Sequence, residues 1–182
     1  VKFPKWHNGP VKGIGSIKSK LLIVGLAPGL KGANKTGIPF SGDFSGDFII
    51  KSLKKYNFIK KNENFNNSMN FRITNTVKCL PPQNKPESFE VKNCQQFLNS
   101  EINAMENLKI ILSLGVVAHK SLINIFQKKL SDFKFKHMAI HKINKNLILV
   151  NSYHCSRYNI RTKKLSVQDF EKVFELIKKR IS

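Results

Sequence analysis

Residues 21–43, LLIVGLAPGLKGANKTGIPFSGD, constrain the fold of this chain more than any other stretch. They begin with a short apolar run, residues 21–24, that is β-rich and ends on glycine, the mark of a buried strand. About twenty residues then pass without helical or strand periodicity. They hold five glycines (Gly25, Gly29, Gly32, Gly37, Gly42), two prolines (Pro28, Pro39) and one aromatic, Phe40. A loop of that length inside a compact domain is functional or disordered, and the fixed-φ residues argue for function. Glycine lets a backbone approach a ligand closely, and a strand–loop–helix junction of an α/β sheet is where ligands bind. The competing reading is a plain structural turn.

The rest of the chain repeats the strand-then-helix pattern. Residues 1–20, which include Trp6, read as an extended arm laid against the domain. Residues 45–56 read as a helix with Phe48, Ile49, Leu53 and Tyr56 on its apolar stripe. Residues 60–70 are a polar excursion, 71–77 a second strand and 80–87 a stiff proline loop. Ser88 is placed to cap a helix whose apolar positions Val91, Cys94, Leu98, Ile102 and Met105 recur at three and four. Residues 108–114 are a third strand, followed by a helix through Leu130 with Leu122, Ile123 and Phe126 inward. A basic segment, 134–142, precedes a fourth strand, 147–152, and a polar loop, 153–164. The last helix is expected to start on Ser166, with Asp169 in its first turn, and to bury Val167, Phe170, Val173, Phe174 and Ile177. This alternation predicts a single domain over 1–182, a three-layer α/β/α fold with a central, mostly parallel four-stranded sheet. The loops at 25–45, 78–87 and 153–164 then share one sheet edge, the expected active site.

Charge decides what such a site meets. The 182 residues carry 32 Lys and Arg against 11 Asp and Glu, a formal net charge of +21. That excess points to a polyanion, either nucleic acid or an anionic membrane surface. A Lys-rich composition bias would not explain the shortage of carboxylates, so nucleic acid is favoured. No apolar run approaches the roughly 20 residues of a membrane span. Three cysteines, Cys79, Cys94 and Cys155, make no even disulfide framework, which suits a reducing cytoplasm. The absence of GxGxxG, Walker, HExxH and nucleophile-elbow patterns argues against dinucleotide, nucleoside triphosphate and esterase chemistry.

Three sets of side chains should converge at the loop edge. Phe40 is a candidate stacking platform, or ordinary loop packing. Asn75 and Asn84 are amides on stiff backbone, able to pair with a base edge or hold a water. His154, directly after a strand, can donate to a developing anion, whereas His119, His137 and His141 read as structural or DNA-facing. The segment 157–164, RYNIRTKK, interleaves Tyr158 and Ile160 with cations, a pattern for gripping phosphates while an apolar residue enters a duplex. An enzyme acting on a flipped-out base fits these residues. A nucleic-acid-binding module without chemistry fits them nearly as well.

The motifs GLAPGLKGANKTGIPFSGDFSG (25–46), TNTVKCLPPQNKP (74–86) and SYHCSRYN with LSVQDFEKVF (152–174) resemble, in order, the three active-site motifs of the uracil-DNA glycosylase superfamily. The likeness is to family 5, the iron–sulfur type with GLAP, and next to family 4, which has GEAP. Residues 6–15 are also similar to the segment before the first strand in that family. The resemblance implies hydrolysis of the N-glycosidic bond of uracil in DNA, and of hypoxanthine or xanthine as well. It assigns His154 to the departing base, Phe40 to stacking, and Gly25, Ala27 and Asn75 to the base pocket. Most of the superfamily carries an acid or amide at the position of Ala27 to hold the attacking water. Here the resemblance moves that duty to Asn84, with Asp43 as a secondary contact. DNA contacts fall on Ser156, Arg157, Tyr158, Asn159 and Lys163. The alternatives within this likeness are a family 4-like enzyme confined to uracil, favoured by Asn75 and opposed by Ala27, and an inactive DNA-binding relative.

The resemblance further implies a [4Fe–4S] cluster on four cysteines. Cys79 and Cys94 match one pair. The chain begins at Val1 rather than Met, and the other pair is expected upstream of residue 1. The opposing reading makes Cys79 and Cys94 ordinary buried thiols. Cys155 stands where the family usually has proline, so the loop that aims His154 is expected to be looser. A monomer acting on DNA in a prokaryotic cytoplasm, at the nucleoid, completes the expectation.

Overall fold

A computed structural model describes residues 3–60, 65 and 68–181. Most of the expected 60–70 excursion lies outside the described residues. Four parallel strands form the centre of the sheet: β2 (Leu21–Gly25), β3 (Arg72–Asn75), β4 (Ile110–Leu114) and β6 (Ile148–Ser152). Their Leu, Ile and Val side chains alternate between two cores, as a period-two chain covered on both faces must. Leu21, Ile23, Ile110, Leu112 and Val150 pack on one side, and Leu22, Val24, Ile111 and Leu149 on the other. Helices α2 (Phe44–Lys55) and α6 (Val167–Ile181) cover the first side, α3 (Ser88–Asn103) and α4 (Val116–Ile125) the second. The three layers are as expected.

Among the described residues the sheet has six strands, with β1 (Ile14–Gly15) and β5 (Ile140–Lys142) at its edges, in the order β1-β3-β2-β4-β6-β5. These two additions are short and antiparallel. One comes from the N-terminal arm and the other from the basic segment, and neither is long enough to show a period.

Several boundaries shift for local reasons. Helix α2 starts on the Asp43 cap, which accepts from Gly46 N–H at 2.9 Å. The cap of α3 is Glu87 rather than Ser88, with Glu87 N–H donating to Glu90 at 2.8 Å. Helix α4 stops at Ile125, short of Leu130, because Gln127 turns left-handed at φ 53°. In α6 the Ser166 hydroxyl accepts from Asp169 N–H at 3.0 Å as expected. Val167, expected inside, is 43% exposed at the first helical position. The polar loop after β6 contains a short helix, α5 (Arg157–Arg161), and the opening loop another, α1 (Ala33–Thr36).

A half-buried ion triad fixes how the second loop leaves the sheet. Glu101 on α3 meets Arg72 at 2.6 Å and Lys78 at 3.0 Å. Burial pushes the Glu101 carboxyl up, but the cations of Lys78 and Arg72 outweigh it and hold the group below the usual carboxylate range. Arg72 also donates to the Gly15 and Gly13 carbonyls of the arm, so arm, strand and helix meet there. Among the parallel strands β2 comes first in the chain, with β3 on one side of it and β4 on the other. The loop after β2 therefore leaves at the switch point of the sheet, where a crevice opens.

Candidate active site

At that crevice lies a cavity of about 210 Å³, the scale of a single small ring rather than a large cofactor. Ala27, Phe40, Asp43, Asn75, Asn84 and His154 all line it, with Leu26, Pro28 and Ser45 among the remaining walls. Six expected residues from three loops thus share one space.

The opening loop is zipped to its neighbour beyond the strand ends. Thr76 N–H donates to the Gly25 carbonyl and Val77 N–H to that of Leu26, both at 2.9 Å. Gly25 does not line the cavity, contrary to the expectation of a base contact. A Cβ there would collide with the Phe40 ring and stand 2.5 Å from Asn75 Oδ1, so Gly25 lets those two side chains meet. Phe40 is buried and adopts φ 55°, a rare backbone state for an aromatic residue. Its carbonyl lies against Gly46, where a Cβ has no room. The Phe40 and His154 rings are nearly parallel, 28° apart in plane, with centroids separated by 6.4 Å.

Asn75 closes β3, in register with Gly25. It is 3% exposed, and its Oδ1 has no hydrogen-bond partner among the described residues. A buried, unpaired acceptor costs about 1–3 kcal/mol, which a ligand donor in the cavity would recover. Asn84 sits at φ 57° at the end of a 3-10 turn, Pro82–Asn84, and its Oδ1 accepts from Leu30 N–H at 3.2 Å. That bond fixes the amide and leaves one lone pair free.

Burial lowers the His154 pKa below its ordinary value, and the opposing field of Asp43 does not restore it. The imidazole is therefore neutral at pH 7. Its backbone is held by Asn159, whose Nδ2 donates to the His154 carbonyl at 2.8 Å. Cys155 is fully buried, with its Sγ 3.7 Å from the Ser45 carbonyl, and burial pushes its thiol far up. The thiol packs the His154 loop against α2, a contact that acts against the loosening expected from the missing proline.

The expected DNA-contacting residues divide. Arg157, Tyr158 and Lys163 are exposed, Tyr158 at 72%, and the Arg157 guanidinium lies 5.4 Å from the Phe44 ring centroid. Ser156 and Asn159 face the fold instead: the Ser156 hydroxyl caps α5 through Asn159 N–H at 3.2 Å. Of the other histidines, His119 is buried between Asn151 Oδ1 at 2.9 Å and the Phe133 carbonyl at 2.7 Å, and His137 stacks on Tyr153.

Cys79 is exposed and Cys94 half-buried. Burial raises the Cys79 pKa, and Cys94 and Glu90 add to the shift, so the two thiols are electrostatic neighbours. They fit half of a four-cysteine set. Among the described residues no three His, Cys, Asp or Glu side chains gather as a metal site. Sequence reasoning did not anticipate Asn159, Ser45 and Thr76 as supports of the site. Only the Ser-x-x-Asn spacing of 156–159 hinted at a capped turn.

The family model of the uracil DNA glycosylase superfamily matches residues 12–178. A type-5 uracil-DNA glycosylase of Thermus thermophilus is 33% identical over 174 residues, covering 93% of this chain and 79% of the relative. One of Mycobacterium bovis is 31% identical, covering 97% and 68%. A type-4 uracil-DNA glycosylase of Sulfurisphaera tokodaii is 29% identical, covering 96% and 78%.

Proposed function

The chain belongs to the uracil DNA glycosylase superfamily, and from that premise we propose that it hydrolyses the N-glycosidic bond of uracil in DNA, opening base excision repair. The observation that carries the reading is the buried, unpartnered Asn75 amide in one cavity with Phe40 and a neutral His154. Uracil offers N3–H and O4 side by side, which an amide oxygen and nitrogen match as acceptor and donor. Phe40 stacks on the extruded ring. The C1′–N1 bond breaks with its electron pair moving onto the base, and His154 donates an N–H to the uracil O2 as that charge grows. A neutral imidazole suits this role, since it stabilises the anion without having to give up a proton. Asn84, held by Leu30, orients a water with its free lone pair. The water oxygen bonds to C1′ and its proton passes to solvent. Asp43 adds negative potential beside the sugar. An amide is a poor base, so departure of the base carries more of the catalysis than activation of water.

Arg157 and Lys163 take phosphates, and Tyr158 lies at the mouth to enter the stack. Hypoxanthine carries the same donor-beside-acceptor edge at N1 and O6, which extends the reading to deaminated purines, with xanthine beside it. Asn75 is also the feature that favours a uracil specialist. We place two ligands of a [4Fe–4S] cluster on Cys79 and Cys94. The cluster would supply structural rigidity to the loop after β3, and no catalytic step passes through it. We take the chain to act as a monomer, and the type-5 relatives support action on DNA in a prokaryotic cytoplasm.

Oligonucleotides with one uracil, hypoxanthine or xanthine, treated with the protein and then alkali, test the reading. Strand scission at uracil is expected; intact strands for all three bases would refute the enzyme. Scission at uracil alone identifies the specialist. Iron content and visible absorbance of anaerobically purified protein, with Cys79→Ser and Cys94→Ser as controls, test the cluster.

A further inference from the structure

A second recess runs between α3 and α4, a groove of about 510 Å³. Helix α3 contributes Ser88, Lys92 and Gln95, and α4 contributes Lys120, Ser121 and Asn124. No carboxylate lines it, and neither lysine forms an ion pair among the described residues. The nearby Glu90 carboxylate is occupied by Glu87 N–H. At the floor, Ser121 is 2% exposed and its hydroxyl has no hydrogen-bond partner among the described residues. Two cations, two amides and a buried free hydroxyl, with no anion, make an acceptor-binding site of phosphate character.

Its place in the fold says whose phosphate it meets. Between groove and base cavity lies a third recess of about 350 Å³, which includes Gly115, Tyr153 and Lys164. That recess shares Leu26 and His154 with the base cavity, and Val117 with the groove. The three recesses are therefore neighbours linked in series by shared walls, from the base cavity to the groove between the helices. Lys164, 5.1 Å from the Tyr153 ring centroid, adds a cation midway.

Resting on the glycosylase reading, we propose that the α3–α4 groove is a phosphate-binding subsite for the DNA strand flanking the excised nucleotide, with Lys92 and Lys120 as its cations. Duplex and single strand present the same backbone chemistry to it.

Binding of lesion-free labelled DNA across a salt series tests the groove independently of catalysis. Replacing both residues in a Lys92→Gln, Lys120→Gln variant should flatten the dependence of log Kd on log salt by about 1.8. The charge-matched Lys128→Gln, Lys129→Gln variant, beyond the other end of α4, should leave the slope unchanged. Ser121→Ala should weaken binding a few-fold at constant slope, since the hydroxyl is neutral. With uracil substrates, the Lys92/Lys120 variant should raise KM about tenfold on long flanks. It should have no effect once the flank on one side is trimmed, and kcat should hold throughout. An unchanged slope, an equal change in the Lys128/Lys129 control, or the same KM loss on trimmed substrates would overturn the proposal. If the wild type excises nothing while the slope change stands, the glycosylase reading falls and the phosphate groove remains.

Discussion

The walls of the base cavity and the cationic α5 at its mouth use opposite kinds of construction. In the cavity each functional side chain is fixed by a second element: Phe40 and Asn75 meet over Gly25, Asn84 is bonded to Leu30, and His154 is aimed by Asn159 and packed through Cys155. At the mouth, Arg157, Tyr158 and Lys163 project into solvent, where long cations act through screened charge. The difference teaches where precision is needed. Bond breaking depends on geometry at the sub-ångström scale, whereas phosphate attraction tolerates motion and adds up over several charges.

The comparison breaks most sharply at the donor. His154→Ala should lower kcat about 10²- to 10³-fold, and Asn84→Ala at least about tenfold, with DNA Kd unchanged in both. Equal loss of binding would make both residues structural. Gly25→Ala comes next, because a Cβ has no room beside Phe40 and Asn75. Thermal melts should show about 1–3 kcal/mol of overpacking, with a rate loss exceeding any loss of binding.

Substitution at the mouth should behave differently. Arg157→Gln with Lys163→Gln should weaken binding with a salt slope flatter by about 1.8, while kcat at saturation holds. A kcat loss comparable to that of His154→Ala would erase the distinction between wall and mouth. The smallest effect is on stability with pH. Burial lowers the pKa values of His137, His141 and His154 below the ordinary 6.5. The unfolded chain then binds more protons than the native one below that pH. Stability should be flat above pH 6.5 and fall as pH drops beneath it, seen as a decline in Tm of a few degrees. A Tm that rises on acidification would contradict the lowered pKa values of these three histidines.

The central strands were legible because strands covered on both faces are apolar along almost their whole length, as 21–24 and, Ser113 aside, 110–114 are. The edge strands β1 and β5 were not, since two or three residues carry no period. Helix α5 hid in a polar sequence because its stability comes from the Ser156 cap rather than an apolar stripe. The cavity residues followed from loop position and motif resemblance. What supports them did not: Asn159 looks like a DNA contact until its amide is seen on the His154 carbonyl. Cys155 illustrates the limit best. Local reasoning from a missing proline predicts a looser loop, but chain stiffness is only one contribution, and burial against Ser45 supplies another.

The central claim is that stabilising the departing base, not activating water, dominates the rate. Single-turnover excision of uracil and 5-fluorouracil by wild type, His154→Ala and Asn84→Ala tests it most directly, because fluorine makes the base a better leaving anion. The account predicts that the His154→Ala defect shrinks at least about tenfold on 5-fluorouracil, while the Asn84→Ala defect stays the same. A His154→Ala defect of equal size on both bases would contradict it.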